Sequence, residues 1–259
     1  MKFQFILKLG FIMDILGIDI GGTGIKGAVV DTLTGKLKTE RLRLLTPQPA
    51  TPQAVADTIE NLVEEIGFKG PVACGFPARV IHGTVKTAAN IDKSWINVPV
   101  EKLFSQKLKR DVFVANDADV AALAELHFGA AKDVKGTVLF LTLGTGIGSC
   151  LFINGEFVPN TELGHIKMYG DSAERFCSGA VKERENIKWK EWGARLNEYL
   201  EYVAFLLQPD LIVLGGGASK KFDKYKDVLN LDCKVIAASM LNLAGIVGAG
   251  IYGATRLKK

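Results

Sequence analysis

Twice in 259 residues an apolar, β-branched run enters a glycine–threonine–glycine turn and a second apolar run leaves it. The first copy is Ile15–Asp31, ILGIDIGGTGIKGAVVD, and the second is Val138–Ile153, VLFLTLGTGIGSCLFI. Such runs are strands, and a short turn of small residues between two of them is a hairpin tip. A chain carrying two copies of this unit is an internally duplicated α/β protein, each half offering one glycine-rich tip to a shared cleft. With no Cβ in the way, a phosphate can reach the backbone N–H groups of such a tip. Asp19 ends the incoming strand of the first copy, where a carboxylate can hold a hydrated Mg²⁺ beside that phosphate. Thr23 adds a hydroxyl donor. Taken alone, the stretch has a lesser, competing reading as a tight hairpin with a surface aspartate; a phosphate chain clamped by two tips is a phosphoryl-transfer arrangement.

Other glycine loops do not fit. A dinucleotide fold needs its G-x-G-x-x-G to open a helix, whereas both tips here run into β-branched strands. No G-x-x-x-x-G-K-[ST] occurs. The formal net charge of +4 is too small to argue for nucleic acid, yet it suits an anionic substrate if the positive charge clusters. The four cysteines, Cys74, Cys150, Cys177 and Cys233, contain no C-x-x-C pair, so neither a disulfide framework nor a structural zinc site follows from their spacing. They are expected to be buried thiols in a reducing cytoplasm. Residues 1–13, MKFQFILKLGFIM, are too short to span a bilayer, lack a small-residue cleavage site and are assigned no function.

Between the tips the pattern predicts a turn at Asp31–Gly35, a strand over Leu37–Leu45 and a Pro-rich loop. A helix follows, capped by Thr51 with Pro52 at its first position and stopped by Gly67. A short strand, Pro71–Gly75, ends in GFP, and a turn-rich loop runs through Asn90 to Trp95. A helix over Val100–Leu108 and a strand over Asp111–Ala115 lead to Asn116-Asp117 and an alanine-rich helix. After the second hairpin come a loop over Pro159–Tyr169 and one long helical region from about Ser172 to Leu207, its aromatics assigned to core or subunit interface. The strand Leu211–Leu214 empties into Gly215-Gly216-Gly217, and the closing helix carries small residues (Ala244, Gly248, Gly253) that let backbones approach closely. The two lobes are expected to be 14–116 with about 244–259, and 117–243.

Asn116-Asp117 lies where a strand ends and a helix begins, the place where α/β sheets bind ligands. A carboxylate there stays ionised at the helix N-terminus and can accept the proton of a hydroxyl attacking phosphorus. The competing reading is that Asp117 or Asp119 merely caps the helix. Asn90, Glu162 and His165, in TAANIDKSW and NTELGH, are amide, carboxylate and imidazole groups suited to a ligand with vicinal hydroxyls. Two lysine-rich stretches, VKERENIKWK (Lys182, Arg184, Lys188, Lys190) and SKKFDKYK (Lys220, Lys221, Lys224, Lys226), are candidates for a basic track, or equally solvated faces.

From about Ile15 onward the sequence resembles the ROK family of sugar kinases, of the actin–hexokinase superfamily, and within it the branch that uses polyphosphate to phosphorylate glucose. The resemblance is carried by DIGGTGIKG (19–27), GFP (75–77), TAANID (87–92), NDAD (116–119), LTLGTGIGS (141–149), PNTELGH (159–165), LIVLGGGASK (211–220) and AGIVGAG (244–250). Each string is weak alone; eight in family order are specific. The resemblance implies an actin/hexokinase-like, duplicated ribonuclease H-like fold with two lobes around a central cleft. It implies phosphoryl transfer from polyphosphate or ATP to the 6-hydroxyl of glucose, with mannose a possible second acceptor, and a homodimer that needs neither nucleic acid nor membrane. Asp117 falls on the general base. Asn90, Asn116, Asp117, Glu162 and His165 fall on sugar-binding positions. Asp19, Gly21, Gly22, Thr23, Gly24, Lys26, Gly144, Thr145, Gly146, Gly215, Gly216 and Gly217 fall on phosphate- or donor-binding positions, with Mg²⁺ near Asp19. Most of the family follow E-x-G-H with C-x-C-G-x-x-G-C, a zinc cluster; here only Cys177 stands in that region, so no zinc is expected. Alternatives are a strictly ATP-dependent hexokinase and a non-catalytic sugar sensor. A sensor of this family carries a helix-turn-helix domain before the first tip, which the dozen residues here do not supply. An actin-like filament or chaperone ATPase leaves NTELGH unexplained.

Overall fold

The computed structural model describes residues 13–88 and 91–257, so most of the N-terminal extension and Asn90 lie outside the described residues. The described residues form two compact units, one running to Ala124 and resumed from Asn242, the other Glu125–Leu241.

In the first unit the strands are β1 (Asp14–Ile20), β2 (Ile25–Asp31), β3 (Leu42–Leu44), β4 (Val72–Phe76), β5 (Val80–Ile81), β6 (Thr84–Val85) and β7 (Val112–Asn116). Its main sheet has the order β3-β2-β1-β4-β7. The first three strands are antiparallel, while β4 and β7 join β1 in parallel. The strand ladder of the first hairpin closes at Ile20 opposite Ile25, leaving four residues at the tip. Helix α1 (Pro52–Ile66) starts as its cap predicts, with the Thr51 hydroxyl accepting from Ala54 N at 3.4 Å and Pro52 in the first turn. It ends at Gly67, whose φ of 72° lets its N–H bond back to Val63 and Glu64. Val55, Ile59 and Leu62 are buried against the sheet core with Leu16, Ile18 and Phe104. Helix α2 (Val100–Leu108) covers the same side.

The C-terminal helix, Ala244–Arg256, packs on β1, β4 and β7. A Cβ on Gly248 would stand 1.6 Å from Val120 O, and one on Gly17 of β1 would stand 2.1 Å from Ile246 O. The small residues of this helix therefore let backbone lie on backbone, as their pattern predicts.

In the second unit β8 (Thr137–Leu143), β9 (Ile147–Ile153), β10 (Glu156–Val158), β13 (Leu211–Gly215) and β14 (Lys234–Ala237) give the order β10-β9-β8-β13-β14. Counted from its own first strand, each sheet runs third, second, first, fourth, fifth, with the same antiparallel and parallel senses. This is the duplication that the paired tips announce, in its ribonuclease H-like form. The small hairpin β11 (Lys167–Met168) and β12 (Asp171–Ser172) turns through Tyr169 and Gly170, both at positive φ.

Helix α3 (Asp117–Phe128) follows β7, and the division between units falls within it. Glu125, fully buried, accepts from Ala130 N (2.7 Å), Ser239 Oγ (3.1 Å) and Met240 N (2.6 Å), so its charge is met by three donors.

Three elements differ from expectation. The third strand shortens to Leu42–Leu44 because the Thr39 hydroxyl, not a backbone carbonyl, accepts from Val29 N at 3.0 Å. The stretch toward Trp95 is not only turns. It forms the β5–β6 hairpin at His82-Gly83 (φ 48° and 70°) and a 3-10 turn, Lys93–Trp95, that buries Trp95 against Phe76. The long helical region breaks into α4 (Ala173–Cys177), α5 (Gly179–Arg184) and α6 (Trp189–Leu207), because Ser178 is extended and Asn186 sits at φ 49°. Trp192, Leu196, Tyr199 and Val203 of α6 are core. Among the described residues no helix is long and apolar enough to cross a membrane.

Candidate functional site

The first tip is held from below and left bare above. Gly21 N donates to Gly24 O at 3.1 Å, and the Thr46 hydroxyl donates to Gly21 O at 2.5 Å. Two cations flank it. Lys26 Nζ lies 3.1 Å from Asp19 Oδ2, and Arg43 Nη2 donates to Thr23 O at 3.2 Å. A Cβ on Gly24 would meet Arg43, and one on Gly245 would meet Asp19, so glycine at these two positions makes room for the flanking groups. At Gly22, by contrast, nothing lies within 4 Å of where a Cβ would be, and its φ is not positive. Neither packing nor backbone conformation requires glycine there.

The second tip repeats this. Gly144 N donates to Gly146 O at 3.0 Å, closing the turn, and Thr145 is exposed. Gly144 has open space where its Cβ would be. In the Gly215–Gly217 loop the roles separate. Gly215 packs on Phe140, Gly216 takes φ 78° against the Leu143 backbone, and Gly217 is open. One glycine in each of the three loops is thus left without a structural reason.

At the start of α3, Asn116 Oδ1 accepts from Ala118 N (2.9 Å) and Asp119 N (3.2 Å), while its amide donates to Ala78 O at 3.3 Å. Asn116 is therefore the group that caps the helix. Asp117 Oδ1 accepts from Ala118 N at 2.8 Å, which fixes the carboxylate at the helix N-terminus.

In the second unit NTELGH is fastened to β9. Ser149 Oγ lies 2.9 Å from Thr161 Oγ1 and accepts from Leu163 N at 2.9 Å. A Cβ on Gly164 would stand 2.2 Å from Ile147 O, so the glycine lets the loop lie flat on the strand leaving the second tip. His165 then stands between two carboxylates, Nε2 3.5 Å from Glu162 and Nδ1 3.7 Å from Glu174. Glu174 also accepts from Ile147 N at 3.2 Å. Arg43 and Glu174 were not singled out from sequence; each is a lone charge in an ordinary strand or helix pattern and gains meaning only from its neighbours.

Among the described residues no three His, Cys, Asp or Glu side chains cluster as a metal site. Cys177 is a buried thiol donating to Ala173 O at 3.4 Å, and burial raises its pKa to about 12. Asp19 offers one carboxylate, which suits Mg²⁺ that keeps its waters and takes further oxygens from a phosphate.

The two lysine-rich stretches come together where Trp189 stacks on Tyr225, ring centroids 5.8 Å apart. Lys182 lies over the Trp189 ring at 4.9 Å, Arg184 pairs with Glu185 (3.2 Å) and Lys226 with Asp223 (2.6 Å).

The chain is similar to known proteins over most of its length. The chain is 45% identical over 236 residues to the polyphosphate glucokinase of Mycobacterium tuberculosis, spanning 91% of this chain and 89% of the relative. The crystal structure of inorganic polyphosphate/ATP-glucomannokinase from Arthrobacter sp. strain KM superposes with a TM-score of 0.90 at 46% identity, covering 94% of this chain and 99% of that one. A ROK family glucokinase from Streptomyces griseus, at 24% identity and TM-score 0.81 over 94% of this chain and 100% of its own, shares the fold. The ROK family model matches residues 15–182. With both glycine tips and the Asn116-Asp117 junction inside that match, the chain belongs to the ROK family.

Proposed function

We propose that this protein is a sugar kinase that transfers a phosphoryl group from inorganic polyphosphate, ATP or both to the 6-hydroxyl of glucose, with Asp117 as general base. Its similarity to a polyphosphate glucokinase and to a polyphosphate/ATP-glucomannokinase supports donor and acceptor class. The observation that carries the reading is the open space beside one glycine in both hairpin tips, Gly22 and Gly144, where a Cβ would meet nothing and packing has no need of glycine. Phosphoryl transfer asks a protein for position and charge neutralisation rather than covalent chemistry. Asp117 accepts the proton of the attacking hydroxyl and Asn116 holds the helix start that aims it. The backbone at Gly21–Gly24 and Gly144–Gly146, with Thr23, Thr145 and Lys26, receives donor phosphates, and Gly215–Gly217 faces the rest of the donor. Asn90, Asn116, Glu162 and His165 hold sugar hydroxyls, with Glu174 fixing the imidazole. Asp19 would hold a hydrated Mg²⁺, which when bound would supply charge neutralisation on the transferred group. The protein works in the cytoplasm as a homodimer and takes mannose as a second acceptor. The two compact units serve as its two lobes.

The test is hexose 6-phosphate formation with polyphosphate and with ATP, glucose and mannose each supplied as acceptor. Product with glucose is expected from at least one donor. No product with either donor overturns the proposal.

A further inference from the structure

His165 is placed by its backbone more than by its side chain. The imidazole is 50% exposed, and its two carboxylate neighbours stand 3.5 and 3.7 Å away, beyond hydrogen-bond length for ring nitrogens. Glu162, His165 and Glu174 come together because the chain between them folds back on itself. His165 N donates to Glu162 O at 3.0 Å, and Ala173 N donates to Ile166 O at 2.8 Å, which returns Glu174 to the side of His165. The excursion between those bonds is the β11–β12 hairpin, paired Lys167 to Ser172 and Met168 to Asp171. A two-stranded hairpin is marginal by itself, and Lys167, Tyr169 and Asp171 of this one are exposed.

The tip of the hairpin carries a residue that the turn does not ask for. Tyr169 and Gly170 form a two-residue turn with φ of 52° and 85°, the class that Asn-Gly or Asp-Gly fills best. A bulky side chain rarely takes positive φ, and this one is also 77% exposed. Its contacts supply the reason. Tyr169 Oη donates to Glu198 Oε2 at 2.5 Å, and its ring centroid lies 4.9 Å from that of Phe176 in α4. The hydrogen bond to Glu198 raises the pKa of the Tyr169 hydroxyl, which keeps it a donor. Glu198 and Arg195 stand three apart on one face of α6, and Arg195 reaches the Phe176 ring at 5.6 Å. Helix α6 is seated in the core through Trp192, Leu196, Tyr199 and Val203. The hairpin tip is thereby fastened to a rigid element.

We infer that Tyr169 is a latch, tying the 166–173 hairpin to Glu198 of α6 and so holding His165 beside Glu162 and Glu174 for the hydroxyls of the acceptor. It is a positioning residue that acts through His165. The inference rests on the sugar-kinase reading, in which His165 meets the sugar, and adds to it the group that keeps the imidazole in place.

Tyr169→Asn and Tyr169→Phe test it, with Glu198→Gln as the conservative variant. Asparagine suits the turn, so Tyr169→Asn is expected to hold or raise Tm while removing both latch contacts. Its glucose KM should rise about tenfold, and that of Tyr169→Phe, which keeps the ring and loses one hydrogen bond, about fourfold. Glu198→Gln keeps an oxygen acceptor for the hydroxyl and should stay within about twofold of wild type. A latch that places a binding group changes ground-state affinity, so kcat and the donor KM stay within about twofold. Glucose affinity by calorimetry without donor falls in step with the glucose KM. A hydrogen bond that merely stabilised the hairpin would move Tm and leave the glucose KM alone. Should Tyr169→Asn fail to fold, Tyr169→Phe decides. Wild-type glucose KM in the folded Tyr169 variants, or an equal rise in the glucose and donor KM, overturns the inference and leaves the kinase reading standing. If the wild-type protein neither binds glucose nor phosphorylates it, the kinase reading itself fails and the inference with it.

Discussion

Asn116 and Asp117 divide one helix start between them. The amide oxygen of Asn116 accepts from Ala118 N and Asp119 N in the first turn of α3, so the cap does not depend on the neighbouring carboxylate. Sequence reading left capping and catalysis open for Asp117; the bonds of Asn116 remove the first as its necessary role. Asp117→Asn is expected to lower kcat about a thousandfold, within the range for loss of a general base, while glucose affinity by calorimetry stays within a few-fold. Near-normal turnover would refute the assignment. A second single-residue effect is independent of catalysis. Burial lowers the pKa of His127, near the end of α3, to about 4. Between that value and the usual 6.5 the unfolded chain binds the proton and the native chain does not, so the contribution is present above about pH 6.5 and is lost as pH falls toward 4. The full swing is of order 3 kcal/mol. Urea titrations across this pH window should show it, and His127→Gln should flatten the curve.

Elements sort their glycines into those the fold needs and those it does not. In the C-terminal helix Gly248→Ala places a methyl 1.6 Å from Val120 O, which is expected to cost about 3 kcal/mol or more of stability. At the tips Gly22→Ala and Gly144→Ala meet nothing. They should leave Tm unchanged or slightly raised, yet raise the donor KM about tenfold by placing a methyl in the open space where the donor's phosphates approach. A stability scan beside donor kinetics separates the two classes; a fall in Tm with intact kinetics at the tips would remove the phosphate role. The hairpins themselves were legible because β-branched runs bracket small residues. The breaks in the 172–207 region were not. Ser178 and Asn186 interrupt an otherwise helical pattern only through backbone angles that the surrounding core imposes.

For the whole molecule, the expectation that concerns donor choice is electrostatic. Polyphosphate carries more phosphates than ATP, so more lysine contacts form and more counterions leave. With Lys188, Lys190, Lys221 and Lys224 exposed around the Trp189–Tyr225 stack, kcat/KM should fall more steeply with salt for polyphosphate than for ATP. Equal slopes would mean that this lysine-rich face does not hold the polymer. Arg184 and Lys226 already face carboxylates, and exposed pairs of this kind are worth little in themselves, so both remain exchangeable.

The sequence by itself determined the duplication, the two tips, the helix that returns to β1 and the family. Each depends on patterns local in the chain: strand periodicity, glycine at a turn, small residues along one helix. Only the tertiary structure decided which glycines are open and which are packed against, that Asn116 caps while Asp117 does not need to, and that Glu174 stands across from Glu162 at His165. Those are outcomes of packing between segments distant in sequence, where burial and the nearest charge set what a side chain can do, and neither is written in the residues on either side of it.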